Sequence, residues 1–525
     1  MKRAFLRKKS YLMLCLLLFT VFASCNSKNK EQNKPNIIFI LADDLGYGEL
    51  GCYGQDKIET PNIDQLAAEG MKFTNFYAGA PVCAPSRCVL LTGKHMGHSY
   101  VRGNDEWAER GNVWSYEAMA EDENLEGQRP IPSYTENIAS MLKKSGYKTG
   151  IVGKWGLGAP LTNGTPNDLG FDYFFGYNCQ RQAHTYYPLH LYENKERVYL
   201  RNDTVAPNTK LDKDADPMDI RSYDKYALEK YSPDLMFDNL ISFVEQSKSE
   251  PFFLYWASPL PHVPLQAPQR LVDYYHEKFG DEEPYLGNKG YFACRYPKAT
   301  YAAMVTYLDE RVGQLVKKLK DEGIYDNTII MFSSDNGPTF NGGTQSEWFK
   351  SAGEHFRSSY GYGKCFVYEG GLRVPLIVSY PGHTDSASVS NHIGAFYDVL
   401  PTLAELTGSE IKTYTDGISF LPSITNIGKQ KEHEFLYWEF NETGGQIAVR
   451  MGNWKGVVRQ MQKGNKHVEL YSLVADPGEL NDVSADHPEL VEKFWEIVHR
   501  EHAPSWNPKW QFSVLEDGLA SKYKK

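Results

Sequence analysis

The stretch Asn36-Ile37-Ile38-Phe39-Ile40-Leu41-Ala42-Asp43-Asp44 decides the fold, because a continuous apolar run ends directly in two carboxylates. A run without polar alternation is typical of a strand that is buried on both faces of a parallel sheet. Ligands of open α/β sheets bind at the carboxyl ends of such strands. The stretch therefore predicts a central strand with Asp43 and Asp44 at the binding edge, although an isolated aspartate pair at a strand end is more often a turn.

Helices and apolar strands alternate along much of the remaining chain. Helices are predicted at 133–145, from 232 onward and at 304–319, and apolar strands at 147–152, 251–256 and 328–332. This alternation predicts an α/β fold with a large, mostly parallel sheet and helices on both faces. Four strands are followed by polar residues of different chemical types, namely Asp43-Asp44, Lys154, His262 and Asp335-Asn336. Because parallel strands end at one edge of a sheet, we expect these residues to share a site.

The last hundred or so residues differ in character from the rest. Short strands rich in aromatic residues are predicted at 435–440, 446–450, 454–458 and 468–471, followed by a helix at 487–499. Gly and Asn separate the strands, which predicts a small antiparallel sheet with a helix. We therefore divide the mature chain into a catalytic domain, residues 35–430, and a C-terminal α+β subdomain, residues 431–525.

The first residues are predicted to direct export. Basic residues precede an apolar run at 11–22, which is too short for a membrane span. The tripeptide Ala23-Ser24-Cys25 is similar to a bacterial lipobox, which makes residues 1–24 a signal peptide, Cys25 the lipidation site and residues 25–34 a tether. Plain signal cleavage is the alternative, since Phe22 stands where leucine is commoner. We expect a protein in the periplasm or on the surface of a Gram-negative bacterium, attached to the membrane only by its lipid.

The composition of the chain limits the classes of molecule that we expect the protein to bind. The chain has 525 residues, a net charge of −10 and, after its first residues, no basic run, so nucleic acid is not expected as a partner. An acidic protein can still hold an anionic sugar in a locally basic pocket. The 35 tyrosines are compatible with sugar stacking, but most such rings belong to hydrophobic cores.

A second informative stretch is Cys83-Ala84-Pro85-Ser86-Arg87, which an apolar helical turn follows. Proline is tolerated in the first turn of a helix, so a helix is predicted to begin here, with Cys83 at its N-terminal end. Free backbone N–H groups and the helix dipole favour an anion at that position, and Arg87 one turn later adds a cation on the same face. The stretch predicts an anion site with a modifiable side chain in it.

This C-x-P-S-R order, together with Thr92-Gly93-Lys94-His95, resembles the maturation motif of the type I sulfatases of the alkaline-phosphatase-like superfamily, whose cysteine is oxidised to formylglycine. The resemblance implies a sulfuric ester hydrolase that acts on a sulfated glycan and is matured by a formylglycine-generating enzyme acting on Cys83. On the pentapeptide alone, a half-buried structural cysteine is the alternative reading.

The predicted metal ligands are Asp43, Asp44, Asp335 and Asn336, joined through the resemblance by the modified Cys83. Hard oxygen donors without His or Cys suit Ca²⁺ or Mg²⁺ rather than zinc, and the match to the sulfatase metal site favours Ca²⁺. The histidine spacings of two-zinc phosphatases do not occur in the sequence.

The resemblance also implies catalytic roles. Hydrated formylglycine at Cys83 would attack sulfur after losing a proton to Asp335, and His262 would protonate the leaving sugar oxygen. The charge on the sulfate oxygens would be held by Arg87, Lys154 and Lys364.

One residue departs from the family pattern. The family's second histidine falls two residues after Lys154, where this chain has Gly156. Our hypothesis is that His184 reaches into the gap, or that its loop, which includes Arg181, binds the sugar. The segment 92–104, with Arg102-Gly103-Asn104, resembles enzymes that desulfate galactose or N-acetylgalactosamine, so Arg102 is a further predicted substrate-binding residue.

Two rival functions are retained. One is a phosphate-ester or phosphonate hydrolase of the same superfamily. The other is an inactive glycan-binding lipoprotein, for which Gly156 is the motivating feature. The presence of Cys83, Arg87, His262 and Asp335 argues against the second rival, because a binding module needs no nucleophile apparatus.

Overall fold

The computed structural model describes residues 34–203 and 205–515. The predicted signal peptide, the Cys25 lipidation site and nearly all of the tether lie outside the described residues. None of the helices in the described ranges is both long and apolar enough to cross a membrane. The described residues from Asn36 onward form a single compact unit.

The described residues contain a ten-stranded sheet in the order β10-β2-β9-β8-β1-β7-β3-β4-β5-β6. Its central strands β8, β1, β7, β3 and β4 are all parallel, and β1 lies fully buried in the middle. The prediction from the opening stretch is thus confirmed. The strands are β1 Asn36–Ala42, β2 Met71–Tyr77, β3 Lys148–Lys154, β4 Tyr173–Tyr177, β5 His190–Glu193, β6 Glu196–Tyr199, β7 Phe252–Ala257, β8 Thr328–Ser334, β9 Leu376–Ser379 and β10 Ser388–Ala395.

Helices cover both faces of this sheet. Ile37, Phe39 and Leu41 of β1 face one hydrophobic core and Ile38 and Ile40 face another, because successive strand side chains point to opposite sides. The α-helices are Pro61–Glu69, Cys83–Thr92, Tyr116–Glu121, Ile138–Lys144, Ser232–Ser247, Gln269–Phe279, Pro297–Asp321, Ser346–Phe349, Glu369–Leu372, Val399–Thr407, Leu421–Thr425 and Pro488–Glu501.

One predicted helix is shorter than its sequence pattern indicates. The helix expected at 133–145 begins only at Ile138, because the Asn137 side chain accepts the N–H of Ser140 and caps the first turn. Asparagine is a preferred residue at that position. The segment before it forms a turn instead.

The C-terminal segment forms the predicted antiparallel sheet, in the order β11-β12-β13-β14. Trp438 of this sheet lies in the same core as the large sheet, and its indole N–H donates to the carbonyl of Ala78 at 2.9 Å. The two sheets are thus packed within one unit. The strands are β11 Leu436–Phe440, β12 Gln446–Met451, β13 Trp454–Arg459 and β14 Glu469–Ser472.

A buried ion-pair network joins the two sheets. Lys455 of β13 is fully buried, and its Nζ lies 2.9 Å from Glu369 Oε1 and 3.0 Å from Glu479 Oε1. Burial favours the neutral acid, but Lys455 and the neighbouring arginines lower the pKa of Glu369 to about 2. We expect Lys455→Met to lower the free energy of unfolding by about 3–5 kcal/mol, because it removes the buried cation that Glu369 and Glu479 share. Denaturant titration measures this loss.

The matched control is Lys466→Met, which removes an exposed lysine from the same sheet region. It should change the free energy of unfolding by less than about 0.5 kcal/mol. Equal stabilities of the two variants would contradict the structural role of Lys455.

Candidate active site

The polar residues at four strand ends converge at one edge of the large sheet. Asp43 and Asp44 follow β1, Asp335 follows β8, Lys154 ends β3 and His262 follows β7, and all are buried. These strands are neighbours in the sheet, so their carboxyl ends bring the side chains together. The common site expected from the sequence is present.

Cys83 lies at the centre of this group. It is the first residue of the helix Cys83–Thr92 and is 1% exposed. Its Sγ lies 3.3 Å from Asp43 Oδ1, 3.9 Å from Asp44 Oδ1 and 3.4 Å from Lys364 Nζ. The helix start thus delivers a single side chain between carboxylates and a lysine.

Three cations face the three carboxylates; Arg87 and Lys154 are buried and Lys364 is partly exposed. Arg87 donates through Nε and Nη2 to Asp335 Oδ2 at 3.0 and 2.8 Å, and through Nη1 to the Lys154 carbonyl at 2.9 Å. Lys154 Nζ lies 2.7 Å from Asp43 Oδ2, and Lys364 Nζ lies 2.7 Å from Asp44 Oδ1. The formal charges of the three cations and the three carboxylates cancel. A bound dication would therefore leave the site neutral only if anionic ligands with two negative charges in total bound with it.

The same environment sets the protonation states. Burial opposes ionisation of Asp43, but Lys154, His262, Arg87 and Lys364 together hold its pKa well below the usual range. Burial, with a contribution from Asp43, raises the pKa of Asp335 to about 6. Burial and the neighbouring Asp335 and Asp43 raise the pKa of the Cys83 thiol well above its usual value. An unmodified Cys83 would be a neutral thiol and therefore a poor nucleophile.

The donor set fits a divalent cation. One ligand atom each of Asp43, Asp44, Cys83 and His262 lies within 4.8 Å of the others. Asn336 Nδ2 donates to Asp44 Oδ1 at 2.8 Å, whereas its buried Oδ1 has no hydrogen-bond partner among the described residues. A buried carbonyl oxygen without a donor beside carboxylates is the ligand environment that Ca²⁺ and Mg²⁺ prefer.

His262 presents a defined nitrogen to the site. Its Nδ1 lies 2.5 Å from the Val263 carbonyl, which fixes Nδ1 as the protonated atom and leaves Nε2, 3.6 Å from Asp44 Oδ2, facing the carboxylates. Burial and the positive charge of Lys364 lower the pKa of His262 well below its usual value. The resting imidazole is therefore neutral.

Comparison with known proteins now identifies the family. The profile described as "Sulfatase" matches residues 35–409, which is more than half of the chain. The chain belongs to the sulfatase family. A second profile, "N-sulphoglucosamine sulphohydrolase, C-terminal", matches residues 353–502. The protein is accordingly a sulfuric ester hydrolase, and the alkaline-phosphatase-like fold expected from the sequence is confirmed.

Named relatives of this sulfatase act on amino sugars. The chain is 30% identical to an N-acetylgalactosamine-6-O-sulfatase of Bacteroides thetaiotaomicron, over 94% of this chain and 99% of that protein. It is 29% identical to the Homo sapiens N-acetylgalactosamine-6-sulfatase, over 89% of this chain and 85% of that protein. The crystal structure of Ps i-CgsB in complex with k-i-k-neocarrahexaose matches with a TM-score of 0.70 and 25% identity, covering 94% and 98% of the chains.

Gln180 fills the space beside Gly156 in this sulfatase. A Cβ on Gly156, whose φ is +79°, would lie 2.6 Å from Gln180 Cγ and 2.7 Å from its Nε2. That buried Nε2 has no hydrogen-bond partner in the described part of the chain. Gln180, rather than His184, therefore occupies the gap, which corrects the first form of our hypothesis. The sequence could not show this, because a glutamine in a loop carries no periodic signal.

His184 lies against His262 instead. Its ring stacks on His262 with centroids 5.4 Å apart and planes 10° apart, and Tyr291 meets both rings edge-on. His184 thus borders the site, as the second form of the hypothesis requires. Arg181 is half-buried one turn earlier, donates to the Trp114 carbonyl and lies over that ring at 4.9 Å. Neither the ring stacking of His184 nor the Trp114 contacts of Arg181 test sugar binding, which stays a prediction for both residues.

Arg102 is not available to a substrate. Its buried guanidinium pairs with Glu439 at 3.0 Å and donates to the carbonyls of Gly97, Ser99 and Ala503. It joins the segment 97–102 to Glu439 and Ala503 near the C-terminus. These contacts argue against the interpretation of Arg102 as a substrate-binding residue, because they use its nitrogen donors. Its neighbour Asn104 does reach the site helix, where its Oδ1 accepts the N–H of Ala84 at 3.1 Å.

A cavity of about 260 Å³ opens above Asp44 and Lys364. Sequence reasoning missed most of its lining, because these residues lie on loops without a repeating pattern. The loop residues around it include Tyr291, Thr339, Phe340, Asn341, Tyr360 and Thr443. We call it the catalytic cavity, because Asp44 and Lys364 line it.

Proposed function

We propose that this sulfatase hydrolyses a sulfate ester of a glycan, with O-sulfated galactose or N-acetylgalactosamine as the favoured sugar, through a formylglycine made from Cys83. The observation that carries the proposal is the position of Cys83, buried among three carboxylates and three cations. The names of the two relatives and of the neocarrahexaose complex support a sulfated sugar as the substrate.

Formylglycine resolves the contradiction between the position of Cys83 and its chemistry. The raised pKa of the thiol makes the unmodified side chain inert, although it lies where a nucleophile is needed. Hydration of an aldehyde gives two hydroxyl groups on one carbon. One can attack sulfur, and the other can then expel sulfate as the aldehyde re-forms. A maturation enzyme is required to make this group, and we include it among the proposed partners.

The charged residues divide the remaining work. Asp335 is the proposed base for the attacking hydroxyl; its charge acts on the Cys83 side chain, where it helps to raise the pKa of the thiol. Lys154 and Lys364 are the proposed partners of the sulfate oxygens, since each forms an ion pair with only one carboxylate among the described residues. Three donor atoms of Arg87 already bond Asp335 and the Lys154 carbonyl, so Arg87 mainly positions Asp335. A bound dication would stabilise the alkoxide and polarise the sulfate.

His262 is the proposed general acid. Its Nε2 faces the site, and the negative charge of a bound sulfate ester offsets the lysine that keeps the imidazole neutral at rest. We expect His262→Ala to lower kcat about 10²–10⁴-fold on a sugar sulfate. The loss should be much smaller on 4-nitrophenyl sulfate, since nitrophenolate leaves without a proton. Equal losses on the two substrates would remove the general-acid role.

A paired substrate comparison tests the proposed reaction. Sulfate and phosphate esters of 4-nitrophenol, assayed beside N-acetylgalactosamine 6-sulfate, separate this sulfatase from a phosphate-ester hydrolase and from an inactive glycan binder. We expect hydrolysis of both sulfates and a much lower kcat/KM for the phosphate. A preference for the phosphate, or saccharide binding without turnover, would support the respective rival.

Two further proposals concern the metal and the location. We propose Ca²⁺ as the resident ion, supported by the oxygen-only donors Asp43, Asp44, Asp335 and Asn336. We also propose an exported protein anchored at the membrane surface through a lipid on Cys25, supported by the basic and apolar residues before it. Metabolic labelling with a palmitate analogue, with Cys25→Ser as the control, tests the anchor.

A further inference from the structure

We propose that a second, larger cavity beside the catalytic one binds a further sugar unit of the same glycan chain. The inference rests on the proposed function and extends it from the sulfated residue to its neighbours. The cavity has a volume of about 620 Å³, against about 260 Å³ for the catalytic cavity. Cavities of 300–1,000 Å³ are the usual size for small-molecule ligands, so the second cavity is large enough for a ligand of its own.

The two cavities adjoin, because segments of the same two stretches of chain line both and Phe340 borders each of them. The loop 339–348 contributes Thr339 and Asn341 to the catalytic cavity and residues 343–348 to the second one, and Phe340 borders both. The loop 283–291 contributes Tyr291 to the catalytic cavity and residues 283–289, except Gly287, to the second. A glycan chain that leaves the catalytic cavity past Phe340 would therefore meet the second cavity next.

The two loops are packed against each other. A Cβ on Gly343 would lie 2.7 Å from Cγ of Tyr285, and one on Gly342 would lie 3.2 Å from the Tyr291 ring. Tyr291 in turn meets the rings of His262 and His184 at centroid distances of 6.0 and 5.2 Å. The wall between the cavities is thus a fixed part of the site rather than a loose surface loop.

The lining has the chemistry that a saccharide requires. Trp348 is 37% exposed at the cavity wall, and its ring is held by Lys57 and Lys298 at 5.2 and 4.9 Å and by Phe279 at 5.0 Å. The exposed part of this ring, which the two lysines and Phe279 leave open, offers apolar atoms to the C–H groups of a sugar. Side chains able to bond hydroxyl groups surround it, namely Glu283, Asn288, Gln345 and Glu347, and Lys289 adds a cation for an anionic substituent.

Chain-length kinetics test the proposal. The probes are N-acetylgalactosamine 6-sulfate and a tetrasaccharide that ends in the same residue. Wild-type enzyme should have a higher kcat/KM for the tetrasaccharide. Trp348→Ala should raise KM for the tetrasaccharide about tenfold and leave the values for the monosaccharide within about twofold. Trp348→Phe should keep most of the wild-type preference in kcat/KM for the tetrasaccharide, because it keeps an aromatic ring at the cavity wall.

The control is Tyr134→Ala, which removes an aromatic side chain that is 87% exposed and belongs to neither cavity. This variant should leave kcat and KM for both saccharides unchanged. Equal effects of Trp348→Ala on the two substrates, or no chain-length preference in the wild type, would overturn the subsite and leave the sulfatase reaction intact. A wild-type enzyme that hydrolyses 4-nitrophenyl sulfate but neither saccharide would overturn the proposed sugar and the subsite together.

Discussion

Replacing Cys83 with alanine is expected to abolish hydrolysis of every sulfate ester, with kcat lowered at least about 10⁴-fold. Cys83 is the single modifiable side chain that the structure places among Asp43, Asp44 and Lys364. Without it, none of the described side chains in this cluster offers a nucleophile that could attack sulfur and then expel sulfate. Initial rates with 4-nitrophenyl sulfate, at concentrations that saturate the wild type, measure the loss.

Cys88→Ala is the matched control, because Cys88 is also fully buried in the helix Cys83–Thr92 but lies away from the charged cluster. We expect it to retain kcat and to lose a little thermal stability from the small cavity created. Substantial turnover by Cys83→Ala, or an equal loss of kcat in Cys88→Ala, would remove Cys83 from the mechanism.

Removal of the divalent cation is expected to lower kcat at least about 10³-fold, and Ca²⁺ should restore it. The carboxylates of Asp43, Asp44 and Asp335, with the partnerless Oδ1 of Asn336, form a buried oxygen cluster suited to such an ion. Ca²⁺ should also raise Tm of the metal-free protein, because an ion that binds only the folded state stabilises it. Chelation followed by calorimetry with and without added Ca²⁺ gives a readout that is independent of activity.

The variant Asp44→Asn should lose the Ca²⁺-dependent rise in Tm. The matched control is Asp309→Asn, since Asp309 is likewise buried but accepts the N–H groups of Asn62 and Ile63 far along the chain from the cluster. The Asp309→Asn variant should be less stable than the wild type but should keep the full Ca²⁺-dependent rise in Tm. A metal-free protein with unchanged Tm and kcat would contradict the assignment of a metal site.

The central sheet and the catalytic cluster were predictable because their signals are local. The apolar run of β1 ends at Asp43, and parallel pairing then brings Lys154 and Asp335 to the same edge. A charged residue directly after an apolar strand is easy to find in a sequence. Several of them indicate a shared site, because a buried charge needs a partner.

The surroundings of the cluster were not predictable, because they depend on contacts between distant loops. Gln180 fills the space beside Gly156 only because β3 and β4 are adjacent in the sheet. Arg102 lies in a segment that resembles the sulfatases, but its guanidinium forms an ion pair with Glu439, which is far along the chain. The cavity walls at Tyr291 and Phe340 likewise come from separate loops, which is why sequence similarity indicates the reaction more readily than the sugar.

The most direct test of the central claim is mass spectrometry of the tryptic peptide spanning residues 73–87, prepared from active protein made in its native host. We predict the mass of an aldehyde in place of the Cys83 thiol, and reaction of the peptide with a hydrazide probe. An unmodified thiol at Cys83 in fully active protein would contradict the formylglycine mechanism.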